Sequence, residues 1–187
     1  MPLPEEPLRG LPPAFVESVR ACDAAGQGGR VLTALRAGGA AGLAALFARA
    51  SAASGLTADE LTARGGLSPE DRRGRRLDAF VAELRTAVFL DRLGFGRITP
   101  LGADDTRRRA DIVAEREGER WAVDARCASR DLLPEGSFRR GPDGKPLPWP
   151  TLHDYLVHCR RDKEPQLART MADEGPGAQT TFYAPPN

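Results

Sequence analysis

Two aspartates and an arginine carry the first chemical signal, in the stretch RADIVAEREGERWAVDARCAS at residues 109–129. Asp111 heads an apolar triplet, Asp124 lies inside a second apolar run, and Arg126 follows two places later. Side chains alternate faces along a strand, so Trp121, Val123 and Ala125 point one way while Ala122, Asp124 and Arg126 point the other. Pairing of the two segments across the glycine-bearing turn in REGER brings Asp111 opposite positions 124 to 126. Two carboxylates converging at a strand end are oxygen donors for a hard divalent cation. Mg²⁺ takes one or two of them and keeps its other positions for water and phosphate oxygens. Such a cation activates water and neutralises a phosphodiester under attack. The plainer reading makes the same residues ion pairs on a wet sheet face, Asp124 with Arg126 and Asp111 with Arg107, Arg108 or Arg109.

A cation beside the metal is the next requirement, and lysine is scarce. Of 27 basic residues only Lys145 and Lys163 are lysine, so any chemistry that needs an ammonium has those two candidates or must use arginine. Other ligand sets are poorer. Cys22, Cys127 and Cys159 form no C-x-x-C pair, which argues against a disulfide framework or a cysteine-rich zinc site. A helix would set His153 and His158 about 140° apart, which is no ligand pair.

The elements that would position these residues can be read from periodicity and caps. Residues 14–54 are rich in alanine and leucine, with Phe15, Val19, Cys22 and then Leu43, Leu46, Phe47 at helical spacing, broken at AGQGG and AGGAAG. TADEL at Thr57 predicts a capping box with Glu60 and a short helix ending at Gly65-Gly66. SPED at 68–71 predicts the start of the longest regular helix, with Leu77, Phe80, Val81, Leu84 and Val88 as its apolar face and Gly94 as its stop. FGRITP, ADIVAE and RWAVDAR then read as a three-stranded meander. Residues 132–150, rich in proline and glycine, read as a long loop without regular structure. A helix restarts at Thr151, with Pro165 expected to kink or divide it, and AQTTFYAPP closes the chain as an edge strand.

This order resembles the PD-(D/E)xK nuclease superfamily over residues 77–183, and AELRTAVFLDRLGF at 82–95 is similar to its leading helix. The resemblance implies a restriction-endonuclease-like α/β core (helix, three-stranded meander, helix, strand) in residues 67–187, preceded by a helical appendage in residues 1–66. It also implies a Mg²⁺- or Mn²⁺-dependent nuclease, acting on DNA before other substrates. Glu83, Asp111 and Asp124 then stand where the family's metal-binding acids stand. Arg126 takes the place of the motif lysine, and no proline precedes Asp111. Lys163 is the natural substitute for that lysine, with Lys145 second, and Gln166 lies near Lys163 on the polar face of the second helix, where nucleic acid would contact it. Residues 107–109, RRR, are a further candidate contact for nucleic acid, although arginine runs are more often solvated faces.

Two alternatives stay open on the sequence: a nuclease-like fold without catalysis that binds nucleic acid or serves as a scaffold subunit, and a helical protein-interaction module. Glu83 has a plain reading too, as a helix residue paired with Arg76 or Arg85. A net charge of +1 names no partner by itself. No apolar run approaches the roughly 18 to 20 residues of a membrane span, so a cytoplasmic protein is expected. Assembly, as a homo-oligomer or with a partner protein, is expected through the N-terminal helices, whose removal (residues 1–56) should disturb assembly or solubility before the site.

Overall fold

The computed structural model of the chain describes residues 3, 8–26, 29–67, 75–102, 110–125, 139–140, 146–147, 152–174 and 178–183. Four helices come first: α1 (Pro13–Ala24), α2 (Arg30–Arg36), α3 (Ala40–Ser54) and α4 (Ala58–Arg64). Glycine-bearing breaks separate the first three, as the sequence predicts. Thr57 caps α4 with the expected box, its hydroxyl accepting from the Glu60 amide while Glu60 accepts from the Thr57 amide at 2.7 Å.

The long helix α5 (Arg75–Arg92) carries the apolar stripe read from its sequence, and Leu77, Phe80, Val81, Leu84 and Val88 are all buried. It stops at Gly94, whose φ of 80° supplies the left-handed turn. There the Phe95 amide donates to the Leu90 carbonyl at 3.1 Å and the Gly94 amide to Asp91 at 2.9 Å, a Schellman closure. The predicted SPED cap lies outside the described residues.

Strands β1 (Gly96–Pro100), β2 (Ile112–Arg116) and β3 (Glu119–Ala125) form an antiparallel meander, and β2 turns into β3 through Glu117 and Gly118, both at positive φ. That pair of φ values suits a two-residue hairpin turn of the primed type. Residues 132–150 are not wholly irregular, because β4 (Arg139–Arg140) pairs with β5 (Pro146–Leu147) as a two-residue ladder. Helix α6 (Leu152–Glu174) runs through Pro165 as one helix instead of dividing there. Strand β6 (Ala178–Tyr183) then lies parallel to β3 at a sheet edge, giving the order β1-β2-β3-β6. The fold is therefore mixed α/β: N-terminal helices, a three-stranded antiparallel meander, and a C-terminal helix whose following strand extends the sheet. Among the described residues no helix is long and apolar enough to cross a membrane.

Alternation along β3 assigns the two faces of the sheet. Val123 packs with Ile98, Ile112, Ala114, and Ala87 and Leu90 of α5, whereas Ala122 packs with Ala110 and Leu167 of α6. α5 and α6 therefore cover opposite faces, and the even-numbered residues of β3, Asp124 among them, belong to the α6 side.

One hydrophobic core joins the N-terminal helices to α5. Phe15, Val19, Leu32, Leu35, Phe47 and Leu61 pack with Leu77, Phe80, Val81 and Leu84 in a single cluster, and the rings of Phe15, Phe47 and Phe80 meet with centroids 5.2 to 6.2 Å apart. Asp78 of α5 accepts from the first amides of α2, Arg30 at 3.2 Å and Val31 at 3.0 Å. The separability expected of these helices is therefore revised, because they cover the apolar face of the helix that carries Glu83. Truncating one phenylalanine in such a core to alanine costs about 3–5 kcal/mol, and a domain has only about 5–15 kcal/mol in all. Deleting residues 1–56 is expected to abolish the cooperative thermal transition followed by circular dichroism. A truncated chain melting cooperatively near the full-length temperature would show that α5 finds other cover.

Candidate functional site

The hairpin register delivers the first pair of acids. Ile112 lies opposite Val123, and the Asp111 amide donates to the Val123 carbonyl at 3.1 Å, so Asp111 faces position 124 as the turn count predicts. The Asp111 carbonyl accepts from Leu101 at 2.9 Å, and its side-chain Oδ2 accepts from the Ala125 amide at 2.7 Å. That last bond holds the carboxylate against the end of β3 from which Asp124 projects.

Asp124 has no solvent exposure, which rules out the wet-face reading for this residue. Its partner comes from α6: Lys163 Nζ lies 2.9 Å from Asp124 Oδ1 and donates to Gln166 Oε1 at 2.7 Å. The helix sequence explains this reach. Lys163, Gln166, Leu167, Thr170 and Met171 recur at threes and fours and share a face. Leu167 packs on Ala110 and Ala122, and Thr170 Oγ1 accepts from the Ala110 amide at 2.8 Å while donating to the Gln166 carbonyl at 3.1 Å. The anchor at Ala110, next to Asp111, fixes α6 two turns beyond Lys163 and leaves the lysine over Asp124. Thr170 was missed in the sequence, although its place in the 163–171 stripe was the available signal. Gln166, expected to contact nucleic acid, accepts from the lysine ammonium.

Glu83 lies on the α5 stripe made by Arg76, Phe80, Ala87 and Leu90. Its carboxylate pairs with Arg76, Nη1 to Oε1 at 2.7 Å and Nη2 to Oε2 at 3.4 Å, so the partner weighed from sequence is present. Glu83 also borders a small, mainly apolar pocket with Leu61, Phe80, Leu84, Ala87 and Pro100.

The acids feel one another. Burial pushes the Asp111 carboxyl up to about 8, with the charges of Asp124 and Glu83 adding to the rise and the Ala125 amide and Lys163 opposing it. Glu83 is raised too, first by burial and then by Asp124, against the lowering effect of Arg76 and Lys163. Asp111, Asp124, Glu83 and Lys163 thus form one electrostatic unit. Arg126, Arg107, Arg108, Arg109 and Lys145 lie outside the described residues, as does the proposed pairing of Asp111 with the arginine run.

Among the described residues no three acidic, histidine or cysteine side chains are grouped as a ready ligand set. The donors that are present still suit a hard cation, because two carboxylates set side by side, with the remaining positions filled by water, are a usual complement for Mg²⁺. Asp111 and Asp124 would hold it, and Glu83, committed to Arg76, would act through water. Comparison of the chain with protein-family models, curated proteins and solved structures finds no match.

Proposed function

We propose that the chain is a metal-dependent nuclease that hydrolyses phosphodiester bonds, DNA before RNA, on a restriction-endonuclease-like core of the PD-(D/E)xK kind. One observation carries this reading: Lys163 Nζ lies 2.9 Å from Asp124 Oδ1. The motif position two residues after Asp124 holds arginine, and a lysine from the next helix reaches the acid. The order of α5, the meander, α6 and β6 supports the same reading.

Bound Mg²⁺ or Mn²⁺ would lower the pKa of a coordinated water and screen the phosphate charge. Asp111 and Asp124 supply the carboxylates for it. The Ala125 amide keeps Asp111 in place, and burial of both acids strengthens their pull on a cation. Lys163, steered by Gln166, offers a compact ammonium to the attacking water or to a phosphate oxygen. Hydrolysis then forms a bond between water oxygen and phosphorus, breaks one phosphorus–oxygen ester bond, and delivers a proton to the departing oxygen.

The lack of a third acid in the ligand set among the described residues, with Glu83 held by Arg76, favours one second reading, a nucleic-acid-binding or scaffold subunit that keeps this fold without cleavage.

Calorimetric titration with Mn²⁺, alongside cleavage assays on single-stranded, duplex and branched DNA and on RNA with Mg²⁺ or with chelator, separates the two. The nuclease reading expects binding that tightens by roughly tenfold per pH unit from pH 6 to 8 and levels off above, because one proton leaves Asp111 as metal enters. The sign for stability follows from the same shift. A carboxyl raised from 3.8 to about 8 holds its proton more tightly folded than unfolded, so its contribution without metal is full below pH 3.8 and is lost as pH climbs through 8. Metal should therefore raise the melting temperature more at pH 8 than at pH 6. Absence of Mn²⁺ binding at both pH values would remove the nuclease reading.

A further inference from the structure

Arg76 ties the N-terminal helices to the acid cluster. Its guanidinium spans two elements: Nε donates to the Gly65 carbonyl at 2.5 Å, where α4 ends, and Nη1 and Nη2 face the two oxygens of Glu83 two helical turns along α5. The far end of this fork is fixed by packing. A Cβ at Gly65 would lie 2.6 Å from Phe80 Cδ2, so the backbone there rests directly on the Phe80 ring of α5 and no side chain fits between. Arg76 is about a quarter exposed and Glu83 about an eighth, which keeps solvent screening of the pair low.

Resting on the metal-site reading above, we propose that Arg76 is a positioning residue for that site: it aims the Glu83 carboxylate at the water shell of a cation held by Asp111 and Asp124. With both oxygens on the guanidinium, Glu83 is held by Arg76, and among the described residues it does not join a three-carboxylate ligand group. Only a planar, forked cation does this, since an ammonium cannot span the Gly65 carbonyl and both carboxylate oxygens at once. The N-terminal helices thereby enter the function, because the Gly65 carbonyl that orients the fork belongs to them.

Calorimetric Mn²⁺ titration of the full chain at pH 8 tests this on wild type, Arg76→Met, Arg76→Lys, Glu83→Gln and Arg76→Met/Glu83→Gln, with thermal melts recording folding. Loss of a group that orients a metal site weakens metal binding by about 10- to 100-fold. Arg76→Met is expected to weaken Mn²⁺ binding within that range although it removes a nearby positive charge, because the orientation of Glu83 is lost, and Arg76→Lys by less, since a lysine still pairs with Glu83 without the fork. In the Glu83→Gln background Arg76→Met should add no further loss. Arg76→Lys carries the test if Arg76→Met does not fold. Folded Arg76 variants that bind Mn²⁺ like wild type, or losses that add in the double variant, would overturn the role assigned to Arg76 and leave the metal site standing. Wild type that binds no Mn²⁺ would overturn the metal site itself and this inference with it.

Discussion

Asp111→Asn and Asp124→Asn are each expected to lower Mg²⁺-dependent cleavage by at least about 10²- to 10³-fold, the scale of losing one preorganised charge at a reacting phosphate. The two variants should then diverge in stability, because the structure gives the two acids opposite surroundings. Asp111 is held uncomfortably, with burial and two neighbouring acids pushing its carboxyl up to about 8, while the hydrogen bond that its side chain accepts from the Ala125 amide can be accepted equally by an asparagine oxygen. Asp111→Asn should therefore melt at or above the wild-type temperature at pH 8 without metal. Asp124 is fully buried and pairs with Lys163. Removing its charge strands an ammonium that is only 18% exposed, and breaking a buried pair costs about 3–5 kcal/mol, less whatever the lysine recovers from Gln166. Asp124→Asn should melt lower. Both variants should lose the stabilisation that Mn²⁺ gives wild type. Full cleavage by either variant, measured on folded protein, would remove that residue from the site.

The part of this arrangement that could be read from the sequence is the part fixed by local rules. Alternation in WAVDA and a glycine turn at position 118 set the hairpin register, so Asp111 and Asp124 meet as counted. The Thr57–Glu60 box and the Gly94 stop follow equally from a few adjacent residues. Tertiary packing decides the rest. Nothing near Lys163 says that its helix will seat Leu167 and Thr170 against Ala110, and that contact is what carries the ammonium to Asp124. The helices before residue 66 look self-contained because their own apolar spacing is good, yet Phe15 and Phe47 find their third ring in Phe80. Arg76 was legible as a helix partner for Glu83, whereas its Gly65 contact depends on how α4 meets α5.

Lys163→Ala is expected to cut cleavage by about 10²- to 10³-fold and Arg126→Ala by less, because the Lys163 ammonium lies 2.9 Å from Asp124 Oδ1. The metal should respond in the opposite sense. Taking the lysine away removes the positive charge that lies against Asp124 and opposes the entry of a divalent cation there. Lys163→Ala should therefore bind Mn²⁺ at least as tightly as wild type while cleaving far more slowly, a split that misfolding cannot imitate. Gln166→Ala should give a smaller version of the same split, since it loosens the ammonium without removing it. If Arg126 holds the water or phosphate instead, the order of the two alanine variants reverses. A wild-type chain that binds Mn²⁺ but cleaves none of the four substrates, and that gains cleavage on Arg126→Lys, would mean that the guanidinium obstructs a metal site lacking only its ammonium at the motif position. Cleavage indifferent to both alanine variants, with Asp111 and Asp124 still essential, would mean that the Lys163–Asp124 pair serves the fold alone and that the phosphate finds its cation elsewhere.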